Sequence, residues 1–342
     1  MREIKFLVIF VIGILLFGTV AVTGINHKIS NTKTTTIDGG STDDFYFVHL
    51  TDTHTRHKIV DFSESTTKKL NAVLDKITSF ENQPAFIVIT GDLCEWGGSD
   101  SIGALNCEAF LSCFYEENDQ LYADSELTIP VYTTPGNHDY RFSFNLVNYH
   151  KYIDKIHVED EDRYIVTYGD VSLFFMDSGP DYYEDITKWD DVLGDGLYDD
   201  DIEWLEDAFS NCASPHKIVL MHYPTVNYRK DGEMYNVIYR NRLEFIELCE
   251  TYEIDLVLAG HTHSAVVFDS NEEKYSDLPL NCSQYPTLYV QSDDCKDGIH
   301  YRNISIIGND IILDSSVEVE SAYYNLIKRH ETLYCRYLEF LK

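Results

Sequence analysis

Apolar and polar positions alternate along the chain in blocks that change period several times. Residues 6–22 form an almost unbroken apolar run behind Arg2 and Lys5, and residues 26–41 are rich in Thr, Ser, Gly and Asn with no periodicity. Short apolar runs follow at 45–50, 86–90, 130–134, 218–221 and 254–259, each the length of a buried strand. Between them Leu70, Val73, Leu74, Ile77 and Phe80 recur at helical spacing, as do Ile202, Leu205 and Phe209, and Leu243, Ile246 and Cys249. Residues 163–168 and 171–176 read as strands joined by a Gly169-Asp170 turn, with further strands at 287–291 and 299–307 and a Gly308-Asn309 turn into Ile311-Ile312. The pattern predicts an α/β body with additional antiparallel strands. A polar helix is expected near the end of the chain, over 317–341.

The first block sets the organisation. The run at 6–22 only just meets the roughly 17–25 residues of a spanning helix, so residues 1–25 are either a cleaved signal peptide or an uncleaved N-terminal membrane anchor. Both place the remainder outside the cytoplasm, secreted or membrane-anchored. Residues 26–44 are then a flexible linker, 45–314 the folded domain, and 315–342 a C-terminal helix packing on it. Eight cysteines suit an oxidising compartment, and Cys282 with Cys295, or Cys94 with Cys107 or Cys113, are candidate bridges. No CxxC pair exists, which excludes a zinc ribbon.

Charge narrows the partners. Of 342 residues 58 are acidic and 26 basic, a formal net charge of −32, which speaks against binding a nucleic-acid polymer.

The candidate chemistry stands at the ends of the five apolar runs: Asp52-Thr53-His54, Gly91-Asp92, Gly136-Asn137-His138-Asp139, His222, and Gly260-His261-Thr262-His263. Strands ending this way can deliver their polar side chains to one sheet edge. Mixed nitrogen and oxygen donors suit Mn, Fe, Zn or Co better than Ca or Mg. Seven such donors exceed the needs of one ion and fit two ions about 3.5–4 Å apart.

In this order the clusters resemble the calcineurin-like metallophosphoesterase superfamily, over roughly residues 45–312. The resemblance implies a four-layer α-β-β-α sandwich with two mixed β-sheets and a dinuclear metal site at the strand ends. It implies Asp52, His54 and His263 on one metal, Asn137, His222 and His261 on the other, and Asp92 between them. His138 would contact the phosphate or protonate the leaving oxygen, with Asp139 orienting its imidazole. A metal-bridging hydroxide would attack phosphorus.

Departures select the branch. Protein Ser/Thr phosphatases continue Gly-Asp into Asp-Arg-Gly, whereas this chain continues Leu93-Cys94-Glu95-Trp96-Gly97. Purple acid phosphatases carry Tyr where Glu95 stands, sphingomyelinase-like enzymes usually carry Glu where Asp139 stands, and the large nucleotidases add a long C-terminal domain. The remaining similarity is to the cyclic-nucleotide phosphodiesterase-like and general phosphohydrolase branch.

Substrate contacts are expected from Arg56 and His57 behind the first cluster, and from Tyr228, Arg229 and Arg240 in the basic, aromatic stretch 223–242. The function expected is an exported phosphoesterase acting on small phosphodiesters or phosphomonoesters. A surface-polymer or phospholipid head-group phosphohydrolase is the first alternative, and a noncatalytic metal-binding surface protein the second. The intact His138-Asp139 pair weighs against the last, because a binding module needs no proton donor.

Overall fold

In the computed structural model of the chain, residues 34–37, 44–62, 65–114, 129–141, 143, 145–153, 163–183, 193–228 and 234–319 are described. The expected targeting segment (1–25), most of the expected linker, Arg229 and residues 320–342 lie outside them. Among the described residues no helix is long and apolar enough to cross a membrane.

Two large sheets carry the body. The six-stranded sheet contains β2 (Phe45–Leu50), β3 (Ile87–Thr90), β4 (Val131–Thr134), β14 (Leu280–Asn281), β16 (His300–Ile307) and β17 (Asp310–Glu318), in the order β14-β17-β16-β2-β3-β4. The eight-stranded sheet contains β1 (Thr34–Ile37), β5 (Tyr164–Tyr168), β6 (Val171–Phe175), β9 (His216–Leu220), β11 (Leu256–Ala259), β12 (Val266–Asp269), β13 (Lys274–Tyr275) and β15 (Leu288–Gln291), in the order β1-β5-β6-β9-β11-β15-β12-β13. Both sheets are mixed. β2, β3 and β4 run parallel, as do β6, β9 and β11, while β16 pairs antiparallel with β2 and β5 with β6.

Side-chain alternation shows why these strands stack into layers. Along β2, Val48 and Leu50 face one core and Phe47 another; along β9, Ile218 and Leu220 share the core of Phe47 while Val219 faces a third. The shared core lies between the sheets. The outer two are covered by helices: α1 (Ser65–Thr78) and α2 (Ser101–Leu111) on the six-stranded sheet, α4 (Asp199–Asn211) and α5 (Arg242–Thr251) on the eight-stranded one. Strands buried on both faces must be apolar at nearly every position, which is why they read as continuous runs. Each fully buried Val, Leu, Ile or Phe contributes about 1.5–3 kcal/mol. This is the expected four-layer sandwich.

Three features differ from expectation. A third sheet, β7 (Asp181–Tyr182), β8 (Leu193–Gly196) and β10 (Ile238–Arg240), arises where only an insertion was apparent. β17 runs to Glu318, with Val317 paired to Tyr301, so the strand enters the stretch assigned to a terminal helix. β1 lies within the expected linker and pairs with β5. The seven described cysteines are free thiols. Cys282 belongs to the core between the sheets and Cys295 to the outer core on the other face, which keeps that pair apart. The Cys94 thiol donates to Cys107 Sγ at 3.6 Å and the two form no disulfide.

Candidate metal centre

Every cluster leaves the C-terminal end of a parallel strand: Asp52 after β2, Asp92 after β3, Asn137 after β4, His222 after β9, and His261 and His263 after β11. Beyond β2 and β3 the chains stay paired, with the His54 amide donating to the Asp92 carbonyl at 2.8 Å and the Asp52 amide to the Gly91 carbonyl at 3.1 Å. Here the backbone turns sharply. Asp52, His54, Asp92, His261 and His263 all adopt positive φ, between 44° and 68°. Side chains rarely tolerate this region, and such strain persists only where the surroundings enforce it.

Two glycines admit the crowding. Gly91 has φ of 78°, and a Cβ there would lie 2.5 Å from His222 Nδ1. At Gly260 a Cβ would lie 1.8 Å from Thr51 Oγ1 and 2.5 Å from Asp52 Oδ2.

The result is two three-residue groups that could each hold a cation, Asp52–His54–His263 and Asp92–His222–His261. They are linked through His54 Nε2, which is 3.7 Å from Asp52 Oδ1 and 3.4 Å from Asp92 Oδ2. His263 Nε2 lies 3.3 Å from Asp52 Oδ1, and His222 Nε2 lies 3.4 Å from Asp92 Oδ1 and 3.0 Å from Asn137 Oδ1. The structure therefore brings together all seven residues singled out as ligands, with His138 beside them in a group with His54 and Asp92.

The donor set fits a cation. Asp52 Oδ2 accepts from Thr51 Oγ1 and from the His261 amide, while buried Asp52 Oδ1 and His54 Nε2 have no hydrogen-bond partner and face the shared space. Buried polar groups are rarely left so in native folds. Behind the rings, His222 Nδ1 donates to the Thr90 carbonyl at 2.9 Å, and His54 Nδ1 stands 3.0 Å from Glu95 Oε2 as a charge contact without hydrogen-bond geometry. Such backing fixes the tautomer that directs Nε2 at an ion. The Tyr223 ring lies 4.0 Å from that of His261, and its hydroxyl donates to Asp181 of β7. The unanticipated small sheet thus supports the centre.

The side chains of the centre shift one another's protonation. Burial opposes a charged His222, but Asp92 and Asp52 outweigh it and push its pKa up to about 10. His263 is likewise opposed by burial and raised by Asp52, to about 9. Burial and the neighbouring His222 charge push His261 down to about 3. Burial disfavours charge on Asp92 too, yet His222, His138 and His54 hold it well below the carboxylate range.

The pair behind the expected proton donor departs from expectation. Asp139 does not orient His138. Its carboxylate accepts from the amides of Leu93, Cys94 and Gly136 at 3.1, 3.0 and 2.9 Å, clamping the Gly-Asp loop to the Gly-Asn-His-Asp turn, α3 (Asn137–Tyr140). His138 Nδ1 instead donates to the Glu95 carbonyl at 2.7 Å.

Of the expected substrate contacts, Arg56 reaches the centre, with Nη2 3.2 Å from Glu95 Oε2. Three of the others, His57, Tyr228 and Arg240, point elsewhere, and Arg229 lies outside the described residues. His57 Nδ1 accepts from the Ile59 amide in a local turn, Tyr228 packs on Phe268, and Arg240 pairs with Asp195 at 2.9 Å between Tyr182 and Tyr198. Glu95, Tyr223, Arg141 and Lys296 went unread. Glu95, Arg141 and Tyr223 stand within three positions of a cluster and Lys296 does not, but nothing in the sequence shows which way their side chains turn; the fold does.

The calcineurin-like phosphoesterase family matches residues 45–265. No curated protein matches the chain. Among solved structures, a purple acid phosphatase from yellow lupin (Lupinus luteus) seeds aligns with a TM-score of 0.52 at 13% identity, covering 84% of this chain and 56% of its own. This chain therefore spans little more than half of that one. PhoD aligns at 0.49 and 8% identity over 83% of this chain and 73% of its own. GAP50, described as the anchor in the inner membrane complex of Plasmodium, aligns at 0.48 and 14% identity over 82% of this chain and 85% of its own. At these identities the likeness is one of fold.

Proposed function

The chain belongs to the calcineurin-like phosphoesterase family, metal-dependent phosphoester hydrolases, and from that premise we propose an enzyme with two metal ions that hydrolyses small phosphodiesters or phosphomonoesters outside the cytoplasm. Asp52, His54 and His263 would hold one ion, Asn137, His222 and His261 the other, and Asp92 would serve both. The carrying observation is the pair of buried, unpartnered atoms Asp52 Oδ1 and His54 Nε2 beside a carboxylate within reach of both groups. Divalent Mn, Zn, Co or Fe ions there would supply Lewis-acid charge for the phosphoryl oxygens and activate water.

The chain's own contribution is orientation. His138 has Nδ1–H committed to the Glu95 carbonyl, and its Nε2, which Arg141 Nη1 contacts at 2.9 Å, is the nitrogen that would exchange a proton with the leaving oxygen once substrate displaces that contact. Burial pushes its pKa down, and an incoming phosphate charge raises it again toward the working range. Export rests on the apolar run at 6–22 behind Arg2 and Lys5.

The test uses full-length protein stripped by chelator and reloaded with each metal, assayed on bis-p-nitrophenyl phosphate and p-nitrophenyl phosphate. Metal-restored turnover that vanishes in Asp92→Asn, with the fold intact by circular dichroism, is the expected result. Turnover that survives Asp92→Asn would refute the shared-carboxylate arrangement.

A further inference from the structure

Between the two large sheets the apolar core gives way to a polar layer just before the metal centre. On β16, Ile306, Ile304 and Arg302 pair with Phe45, Phe47 and His49 of β2, so Arg302 and His49 form the next inward-facing pair after two apolar ones. Arg302 is fully buried, one of the largest side chains to be so among the described residues. Burial lowers its pKa only to about 10, and it keeps its charge. Its hydrogen bonds go to a hydroxyl and two carbonyls: Nε donates to Ser292 Oγ at 3.0 Å, Nη2 to the Gln291 carbonyl at 3.3 Å and Nη1 to the Asp314 carbonyl at 2.7 Å. A buried charge is weak support for a fold, because apolar side chains of similar volume often serve as well.

Two hydrogen-bonded arms lead from this guanidinium to the ligands. Arginine only donates, so Ser292 Oγ accepts from it and turns its own proton to His49 Nδ1, 2.9 Å away. His49 Nε2 then donates to Thr90 Oγ1 at 2.8 Å. Burial and the Arg302 charge push the His49 pKa down to about 3, so the ring stays neutral and keeps that direction. The Thr90 carbonyl accepts from His222 Nδ1 at 2.9 Å and from Thr51 Oγ1 at 2.8 Å, the hydroxyl that holds Asp52 Oδ2. Along the second arm, Gln291 Oε1 accepts from Thr262 Oγ1 at 2.6 Å, and Thr262 stands between His261 and His263. The arms therefore end at Asp52 and His263 of one group and at His222 and His261 of the other. Ser292, His49, Thr90 and Gln291 are buried, so solvent does not compete for these bonds.

We propose that Arg302 is a positioning residue of the metal centre: by holding Ser292 and Gln291 together it sets the two ligand groups relative to each other. It touches neither ion nor substrate. The role rests on the two-ion reading above and deepens it.

The test uses full-length protein stripped by chelator and titrated with Co(II). Competition with a chromogenic chelator gives the affinity, and visible absorption of the bound ion reports its ligand geometry. Arg302→Met removes the charge and the donors at similar length. Ser292→Ala cuts the first arm alone. Ile304→Ala opens a cavity at the next inward position of the same strand and touches neither arm. Arg302→Met and Ser292→Ala should each bind Co(II) about tenfold more weakly with an altered absorption band, while Ile304→Ala loses thermal stability and keeps wild-type affinity and absorption. A loss in Arg302→Met without one in Ser292→Ala assigns the positioning to the Gln291 arm. Wild-type affinity and absorption in folded Arg302→Met would overturn the role; if that variant does not fold, the same values in Ser292→Ala would do so. An equal loss in Ile304→Ala would also overturn it, since the cause would be a softened strand. The wild type separates the two readings. No bound Co(II) overturns the two-ion reading and this role with it, whereas two bound ions without turnover overturn hydrolysis alone and leave the role to the variants.

Discussion

His54 Nδ1 lies 3.0 Å from Glu95 Oε2, and this contact couples the first metal group to the loop that follows β3. Burial works against a charged Glu95, but His54 and Lys296 pull its pKa well below the carboxylate range, so it backs His54 as an anion. A carboxylate behind a ligating imidazole raises the ligand's basicity and fixes its ring. Glu95→Gln should therefore weaken metal binding by about 10–100-fold while the fold survives. Competition with a chromogenic chelator measures this, and wild-type affinity in the variant would remove Glu95 from the ligand's support.

Asp139 and His138 should separate cleanly. Asp139 uses both oxygens on three backbone amides and none on the imidazole. Asparagine keeps one acceptor oxygen and turns an NH2 group toward an amide donor, which should cost about 1–3 kcal/mol for the amide left unpaired. Asp139→Asn should lower the thermal midpoint and leave the pH profile of the remaining activity in place. His138→Ala should do the reverse, abolishing turnover with little change in midpoint. A shifted pH profile in Asp139→Asn would show that its carboxylate acts on the imidazole after all.

The contrast shows what the sequence could carry. The seven candidate ligands were legible because each ends a strand buried on both faces, and such strands announce themselves as apolar runs with Gly, Asp or His at their ends. The layers followed from the same periodicity. What stayed hidden acts across long sequence distances. Glu95 and Lys296, about 200 residues apart, meet only because the loop after β3 of the six-stranded sheet and the loop after β15 of the eight-stranded sheet come together. Tyr223 supports His261 through a small sheet whose strands are two to four residues long, too short to show a period. His57 looked like a site residue by proximity to the first cluster, but its ring is used by the next turn.

Gly260 should be irreplaceable even by alanine. The added Cβ would meet Thr51 Oγ1 at 1.8 Å and Asp52 Oδ2 at 2.5 Å, and Thr51 is the hydroxyl that holds this oxygen. Relief requires Asp52 to swing, which removes the carboxylate from the first group. Gly260→Ala should purify with substoichiometric metal and a lowered thermal midpoint. Full metal content by elemental analysis would mean the loop moves instead of the carboxylate.

Metal binding should release protons, with affinity rising with pH. In the ion-free centre the pKa values of His222 and His263 stand at about 10 and 9, above the ordinary imidazole range, so both carry protons at neutral pH. An ion must displace them, and the imidazoles bind it only when neutral. Calorimetry in buffers of different ionisation enthalpy should report at least two protons released at pH 7, since His54 is raised as well, and fewer as pH passes 9. The sign for the ion-free protein is opposite. A raised histidine pKa gives stability that is whole below the unfolded value near 6.5 and is lost as pH climbs through 9 to 10. The chelated protein should therefore lose thermal stability over that window, and the metal-loaded protein should not. Proton release near zero at pH 7 would mean that the histidines face the ions already neutral and that the carboxylates draw their balance from Arg56, Arg141 and Lys296 instead.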